Sequence, residues 1–462
     1  MTTWTPELDR FPGPRYLAIA EALADDVRAG RLPVGAKLPT HRDLAWTLKV
    51  TVGTVTRAYA EAERRGLIAG EVGRGTFVRP IGGNAPIMLR TGSEPPGFLD
   101  LAVNAPIGGG EVALFAASLA ELSAGEGLSE LLLYTPNAGR GSDREAGARW
   151  LGRAGIAASP ERVVVTGGGQ HGLAAVLGAL TQSGDTVAVE SLTYPGMKSL
   201  GNLLNLRLLP VAMDAEGLLP DALDAACRGK GVKALYTMPT LHNPTTGTLS
   251  AERRRAIADV ARRHGVAIVE DDVYGFLLEK APPPIASFAP ELGYYVTSTS
   301  KSFAPGLRVG YVHAPEGRVE RIAAAMRATT YMATPLMAEL ASRWIASGAA
   351  DRLVVEKRRV AARRQRLLAE VFGGPGLRAD PAGFHAWLTL PEEWRPEDFA
   401  ATARRRGIGV TPAIAFAAGR TPPPNAIRLT LGTPAEDNRL RRALLTLREL
   451  AADKPHPYLS VV

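Results

Sequence analysis

Apolar residues recur at helical spacing near the start of the chain. Leu17, Ala20, Leu23, Ala24 and Val27 fall on one face, which predicts an amphipathic helix over about 15–29. Gly30 ends it, and Leu32-Pro33-Val34-Gly35 reads as a turn. Thr40 opens a second helix, with Asp43 as a capping-box partner and Leu44, Ala45 and Leu48 as its apolar side. Thr51 caps a third, which carries Val55, Ala58, Tyr59 and Ala62 and stops at Gly66. Leu67-Ile68 and Thr76-Phe77-Val78 flank the glycine-rich centre Gly70 to Gly75, which predicts a two-stranded hairpin. Helix, helix-turn-helix and hairpin together are the layout of a winged helix-turn-helix domain.

The period changes from about residue 100 onward. Strand-like runs at 162–165, 186–189, 234–237, 266–269 and 294–297 alternate with helical stretches such as 170–182 and 250–264. Such alternation builds a mostly parallel sheet with helices on both faces. Residues 81–99, rich in proline and glycine, read as a linker between a DNA-binding domain at 1–80 and a large α/β domain at 100–462. A length of 462 residues agrees with more than one domain. No internal repeat is visible.

Composition narrows the setting. Hydrophobic residues make up 46% and charged residues 22%, values of a globular protein in water. No apolar run reaches the roughly 18 residues a membrane span needs, and the first residues have no apolar core of a secretory signal. The single Cys227 excludes an internal disulfide, and with no signal the expected compartment is the cytoplasm. The net charge of +8 permits a nucleic-acid partner. Between Lys37 and Arg79, eight Lys/Arg stand against four Asp/Glu. In a winged helix the third helix enters the major groove. Arg42, Arg57 and Arg74 are the best-placed cations, Thr51 and Thr54 stand at the helix start, and Gly73 and Gly75 let the wing approach closely. The competing reading is a small helical docking domain with a solvated basic face.

The strongest chemistry lies in Ser298-Thr299-Ser300-Lys301-Ser302-Phe303-Ala304-Pro305-Gly306-Leu307-Arg308. A lysine with a lowered pKa is an amine nucleophile suited to a Schiff base. Hydroxyls and Arg308 suit a phosphate. A phosphate-bearing aldehyde such as pyridoxal 5'-phosphate would satisfy both. Taken alone, Lys301 is more often a surface lysine in a serine-rich loop. Further polar residues sit at the expected carboxyl ends of strands, where ligands gather in such sheets. Gly168, Gly169 and Gln170 stand at a helix start that could bind phosphate, Tyr194 could stack on a heterocycle, and Asn243 could donate to a ring oxygen. A carboxylate at Asp271 or Asp272 could pair with a pyridine nitrogen, with Tyr274 near the ring oxygen. Each has an ordinary alternative: a glycine turn, a packed aromatic, an Asn-Pro turn, a solvated strand end. The basic run from Lys357 to Arg366 reads as a solvated helix face.

Two resemblances join these signals. The stretch Tyr16 to Val78 resembles the GntR-type winged helix through Lys37-Leu38-Pro39-Thr40-His41-Arg42-Asp43-Leu44-Ala45, Thr54-Val55-Thr56-Arg57-Ala58-Tyr59 and Gly73-Arg74-Gly75-Thr76-Phe77-Val78. Many such domains carry arginine where Val52 stands. From Leu101 to the 440s the chain resembles the fold-type I aminotransferases, which implies pyridoxal 5'-phosphate as cofactor. The resemblance implies Lys301 as the Schiff-base lysine and Asp271 at the pyridine nitrogen. Asn243 and Tyr274 fall at the ring oxygen, and Tyr194 on the ring. Gly168, Gly169, Gln170, Ser298, Ser300 and Arg308 fall around the phosphate. Tyr134 resembles the tyrosine that reaches the partner subunit's phosphate, and Arg428 the arginine that takes a substrate carboxylate.

Both modules in one chain resemble the MocR/GabR-type bacterial regulators. This implies a homodimer, one arrangement being a DNA-binding domain packed on the partner's large domain. It also implies a double-stranded operator and an amine or amino-acid effector sensed through an external aldimine at Lys301. The alternatives are a working aminotransferase and a regulator that senses pyridoxal phosphate itself.

Overall fold

The computed structural model describes residues 4–78 and 97–453, apart from positions 12, 30, 34, 65, 66, 72–74, 107, 230, 420, 421, 434 and 435. The chain divides into two compact units, Met1–Met88 and Leu89–Val462.

The small unit holds helices α1 (Arg15–Arg28), α2 (His41–Leu48) and α3 (Val52–Arg64), then strands β1 (Ile68–Glu71) and β2 (Gly75–Val78). Local chemistry sets the boundaries. Thr40 Oγ1 accepts from the Asp43 N–H at 3.2 Å and donates to its carboxylate at 2.7 Å, fixing the start of α2. Lys49, left-handed at φ 51°, ends that helix. Thr51 Oγ1 then accepts from the Thr54 N–H at 3.1 Å and caps α3. Ala18, Leu23, Leu44, Val55, Ala58 and Ile68 form one core; on α2 and α3 it uses the faces that the helical spacing predicts, whereas on α1 Ala18, Ile19 and Ala22 join Leu23 and Ala24 and Leu17 is only half-buried. The strands pair antiparallel with Ile68 opposite Val78, giving the winged helix-turn-helix.

The large unit opens with β3 (Leu99–Asp100), α4 (Glu111–Ala124) and α5 (Gly141–Gly152). An alternating run follows: β4 (Val163–Thr166), α6 (Gly169–Leu180), β5 (Thr186–Glu190), α7 (Pro195–Leu203), β6 (Arg207–Val211), α8 (Pro220–Cys227) and β7 (Val232–Thr237). It continues with α9 (Ala251–His264), β8 (Ala267–Asp271), α10 (Ile285–Phe288), β9 (Gly293–Ser298), α11 (Thr299–Ser302) and β10 (Gly310–His313). Three helices, α12 (Val319–Thr329), α13 (Pro335–Ala346) and α14 (Ala349–Phe372), lead to the C-terminal part. That part comprises β11 (Leu377–Ala379), β12 (His385–Thr389), α15 (Pro396–Arg405), β13 (Ile408–Gly409), β14 (Thr411–Pro412), β15 (Ala426–Thr430) and α16 (Asp437–Ala452).

The main sheet has seven strands in the order β4-β10-β9-β8-β7-β5-β6. All run parallel except β10, which is antiparallel to both its neighbours. Both faces are covered. Val187, Val189, Ala234, Tyr236 and Val269 pack with α6, α7 and α12, while Ala188, Leu235 and Ile268 pack with α8 and α9. That alternation is the period-2 pleat of strands buried on both sides. The carboxyl ends of β4, β5, β7, β8 and β9 therefore share one edge. The start of β10 joins them, since Gly310 lies opposite both Thr166 and Ser298.

A second, antiparallel sheet, β11-β12-β15-β14, packs with α15 and α16 around Phe399, Ile427, Leu429 and Leu444. β3 pairs with β13, so the chain first touches this C-terminal part before it enters the main sheet. The expected solvated face on α14 needs correction: Lys357 and Arg364 are buried, and Arg364 donates to the Leu431 carbonyl at 2.6 Å. An arginine fork can satisfy otherwise unpaired carbonyls where a helix crosses a strand end. Among the described residues no helix is long and apolar enough to cross a membrane.

Candidate functional site

At the common strand edge the sheet assembles a polar cluster. Lys301 stands in the single turn α11 directly after β9. Its Nζ donates to the Asn104 carbonyl. Burial, then the neighbouring Arg428 and Arg308 charges, lower its pKa to about 8, against the opposing pull of Asp271. An amine in that range is partly deprotonated near neutrality, as a nucleophile must be.

Asp271 closes β8. Its Oδ2 accepts from the Tyr236 hydroxyl at 2.8 Å, and its buried Oδ1 has no partner among the described residues. Burial raises its pKa to about 7. Asp272, one residue on, points to the opposite face, as strand alternation requires. It is used up there by the Tyr295 hydroxyl at 2.8 Å and the Gly275 N–H at 2.6 Å. Of the two carboxylates, Asp271 is thus the one with an unused oxygen on the Tyr236 side. Tyr274 is buried, accepts from Asn104 Nδ2 at 2.7 Å, and has a pKa pushed up by burial. Tyr194 stands immediately before α7, with its pKa raised to about 12 by burial and by Asp271.

Arg428 comes from β15, in register with Trp387 and Thr411. Its Nη1 donates to Asn243 Oδ1 at 2.8 Å and its Nη2 to the Ala102 carbonyl, while its guanidinium lies 4.9 Å from the Phe416 ring centroid. Burial lowers its pKa to about 10. Its Nε is buried without a partner among the described residues.

Gly168 has φ 90° and ψ 170°, a conformation open essentially to glycine. A β-carbon there would stand 2.7 Å from Arg308 Nη2. Arg308 donates to the Gly167 carbonyl at 3.2 Å. Gly169 begins α6 close to the Ser298 side chain, and Ser298 Oγ accepts from the Ser300 N–H at 3.3 Å. Gln170 donates to the Gly196 carbonyl at 2.9 Å, leaving its Oε1 buried and unpartnered among the described residues. The start of α6, the Ser298–Ser300 turn and Arg308 thus surround one corner with N–H, hydroxyl and guanidinium donors. Tyr134 stands apart on the surface, 83% exposed, its ring centroid 5.1 Å from that of Tyr331.

This donor set fits pyridoxal phosphate. It offers a half-buried amine of lowered pKa, a carboxylate oxygen without a partner among the described residues, and a glycine cradle against an arginine. Three participants escape sequence reasoning. Asn104 touches both Lys301 and Tyr274. Tyr236 holds Asp271. His385 donates from Nε2 to the His242 carbonyl at 2.9 Å, which leaves its Nδ1, 3.4 Å from Asn104 Nδ2, to accept. Asn104 lies just past the linker and carries no motif. Tyr236 was legible only as a strand residue.

In the small unit, Arg42 is exposed on α2, and Thr51 and Thr54 share a hydrogen bond of 2.9 Å at the head of α3. The Arg57 guanidinium lies 4.6 Å from the Tyr16 ring centroid, which engages it with α1. Gly75 has φ 119°, and a β-carbon there would come 2.7 Å from Lys37 Cε, so its bareness makes room within the unit itself. Gly73 and Arg74 lie outside the described residues.

Comparison with known proteins agrees with both units. Residues 96–444 match the class I and II aminotransferases, and residues 15–78 match the gntR family of bacterial regulatory proteins. The chain is 31% identical over 455 residues to YdeF of Bacillus subtilis, described as an uncharacterized HTH-type transcriptional regulator, covering 98% of this chain and 97% of that protein. It is 27% identical over 432 residues to PdxR of Corynebacterium glutamicum, an HTH-type pyridoxine biosynthesis transcriptional regulator, covering 91% and 92%. Among solved structures, LysN of Thermus thermophilus, an α-aminoadipate aminotransferase complexed with N-(5'-phosphopyridoxyl)-L-leucine, superposes with a TM-score of 0.70 at 25% identity over 77% of this chain and 92% of that one. The site of the large unit is accordingly one for pyridoxal 5'-phosphate, and the chain belongs to the MocR-type transcriptional regulators, a GntR-type winged helix joined to a class I and II aminotransferase domain.

Proposed function

We propose that this regulator binds operator DNA through its small unit and senses a primary amine or amino acid at Lys301. The observation that carries the reading is the convergence of the half-buried Lys301 with the buried Asp271 and Arg428 at one strand edge, with Asp271 Oδ1 and Arg428 Nε unpartnered among the described residues. When bound, pyridoxal phosphate supplies an aldehyde that condenses with amines and a pyridine ring that withdraws electrons. Lys301 would supply the amine that holds the cofactor's aldehyde, and an effector amine would compete with it for that position. Asp271, with one oxygen committed to Tyr236, keeps the other for a protonated ring nitrogen. Tyr274 and Asn243 orient the ring oxygen, and Tyr194 covers the ring face. Gly168, Gly169, Gln170, Ser298, Ser300 and Arg308 hold the phosphate. Arg428 takes the effector's carboxylate if it has one.

A homodimer belongs to this reading. Leu132, Leu133 and Tyr134 are 80%, 62% and 83% exposed, an apolar stretch suited to burial against a second copy. Switching requires that the amine bind two dimer conformations unequally. The small unit would then feel the difference through residues 81–99.

Two other readings have support. A working aminotransferase is favoured by the completeness of the lysine, carboxylate and arginine set. A regulator that responds to pyridoxal phosphate itself is favoured by the likeness to PdxR. An absorption titration of the purified protein with amines and amino acids, with and without a keto acid, separates the three. A spectral shift that stops without turnover supports the sensor. Steady consumption of keto acid refutes it in favour of the enzyme. No response to any amine, with DNA affinity that follows the cofactor, refutes it in favour of cofactor sensing.

A further inference from the structure

The exposed head of α3 carries no side chain able to read a base edge with two hydrogen bonds. Its first residues are Val52, Gly53, Thr54 and Val55, preceded by Thr51. The hydroxyls there are engaged locally. Thr51 Oγ1 accepts from the Thr54 N–H at 3.1 Å and shares a bond with Thr54 Oγ1 at 2.9 Å. Thr56 donates to the Val52 carbonyl at 3.0 Å, and its Oγ1 lies 3.3 Å from His41 Nδ1. The nearby Arg57 guanidinium rests over Tyr16. Beside the exposed Thr51, Thr56 and Arg57, the apolar group that faces solvent at this helix start is the isopropyl of Val52, 45% exposed. A β-carbon on Gly53 would meet only Thr51 Oγ1, at 3.8 Å, so the surface beside Val52 is open.

A single exposed valine is ordinary. This one stands at the first position of the helix that a helix-turn-helix unit lays in the major groove. There guanine is read by arginine or lysine and adenine by asparagine or glutamine, whereas an apolar side chain has one distinctive partner, the C5-methyl group of thymine. We infer that Val52 is a specificity determinant that packs on a thymine methyl in each operator half-site. This rests on the DNA-binding reading above.

The test uses the full-length protein loaded with cofactor. Selection from a random duplex pool supplies a bound sequence. Each thymine of its half-site is then replaced in turn by uracil, which keeps the base-pairing groups and lacks only the methyl. The expected result is one position where the replacement weakens binding about fourfold, equivalent to about 0.8 kcal/mol for a methyl-sized group. The penalty at that position is expected to vanish in Val52→Ala. The inference is overturned if every uracil duplex binds the unaltered protein as its thymine counterpart does, a result that needs no variant to fold. It is also overturned if Val52→Ala keeps the full penalty. A pool from which no sequence is enriched overturns the DNA-binding reading itself, and this inference with it.

Discussion

Substituting alanine for Gly168 separates strain in the fold from loss of the phosphate corner. The backbone there has φ 90° and ψ 170°, and holding an L-residue in such a region costs about 1–3 kcal/mol. The new β-carbon would also stand 2.7 Å from Arg308 Nη2 and 3.0 Å from its Cζ, closer than packing allows, so the guanidinium must move. If Arg308 grips the phosphate, losing one hydrogen bond to a charged group costs about 1.5–3 kcal/mol, or roughly 10- to 150-fold in cofactor affinity. Two assays read the two terms. Thermal melting of the cofactor-free protein reports the strain, and titration with pyridoxal phosphate reports the grip. Gly184→Ala is the matched control, since Gly184 has φ 89° and nothing within 4 Å of an added β-carbon. It should lower the melting temperature and leave cofactor affinity unchanged. If Gly168→Ala melts early yet binds pyridoxal phosphate like the unaltered protein, Arg308 does not hold the phosphate and the assignment of that corner fails.

Other outcomes follow from the same geometry. The cofactor-free protein should capture pyridoxal phosphate at Lys301 with a rate that rises through about pH 8, the lowered pKa of that amine, and Arg428→Gln should move the midpoint upward by removing a neighbouring positive charge. A midpoint near that of an ordinary lysine, followed by stopped-flow absorbance, would contradict the burial argument. Asp271 has a folded pKa of about 7 above its unfolded value of about 3.9, so its neutral form stabilises the cofactor-free fold at low pH. That contribution fades as pH rises from about 4 to 7. Melting curves should therefore show the unaltered protein losing stability relative to Asp271→Asn across that range, and a constant difference would count against it. Arg42 is exposed on α2, and Arg42→Ala should weaken DNA binding for all sequences and reduce the slope of log affinity against log salt by about 0.9 if one phosphate contact is lost. Unchanged slope in a fluorescence-anisotropy titration would remove Arg42 from the interface.

Much of this molecule is determined locally and so was legible in the chain. The α2 cap rests on Thr40 and Asp43, three residues apart, and α3 begins at Thr51, whose hydroxyl takes the Thr54 N–H. Such contacts lie within one helical turn and need no distant partner. The parallel strands that end at Asp271 and just before Lys301 show themselves as short apolar runs, because both faces of the sheet are buried. Their polar ends stand out against those runs. The residues alone left Asp271 and Asp272 both open and the family resemblance implied Asp271, but the contrast in their surroundings belongs to the fold: Tyr236 lies 35 residues from Asp271, and Tyr295 lies 23 residues from Asp272.

Only the tertiary structure decided what joins distant segments. Asn104 reaches Lys301 across 197 residues and Tyr274 across 170. Arg428 is bound to Ala102 and Asn243, across 326 and 185 residues. Neither contact has a sequence period or a motif, since each depends on how the C-terminal sheet packs beside the main one. The α14 cations teach the same lesson. A run of like charge reads as a solvated face, yet Arg364 is buried because Leu431 and Gly432 bring unpaired carbonyls to it. The sequence by itself determined the elements and the kinds of chemistry they carry. The packing of segments far apart in the chain determined which side chains meet, because burial and hydrogen-bond satisfaction are settled only when both partners are in place.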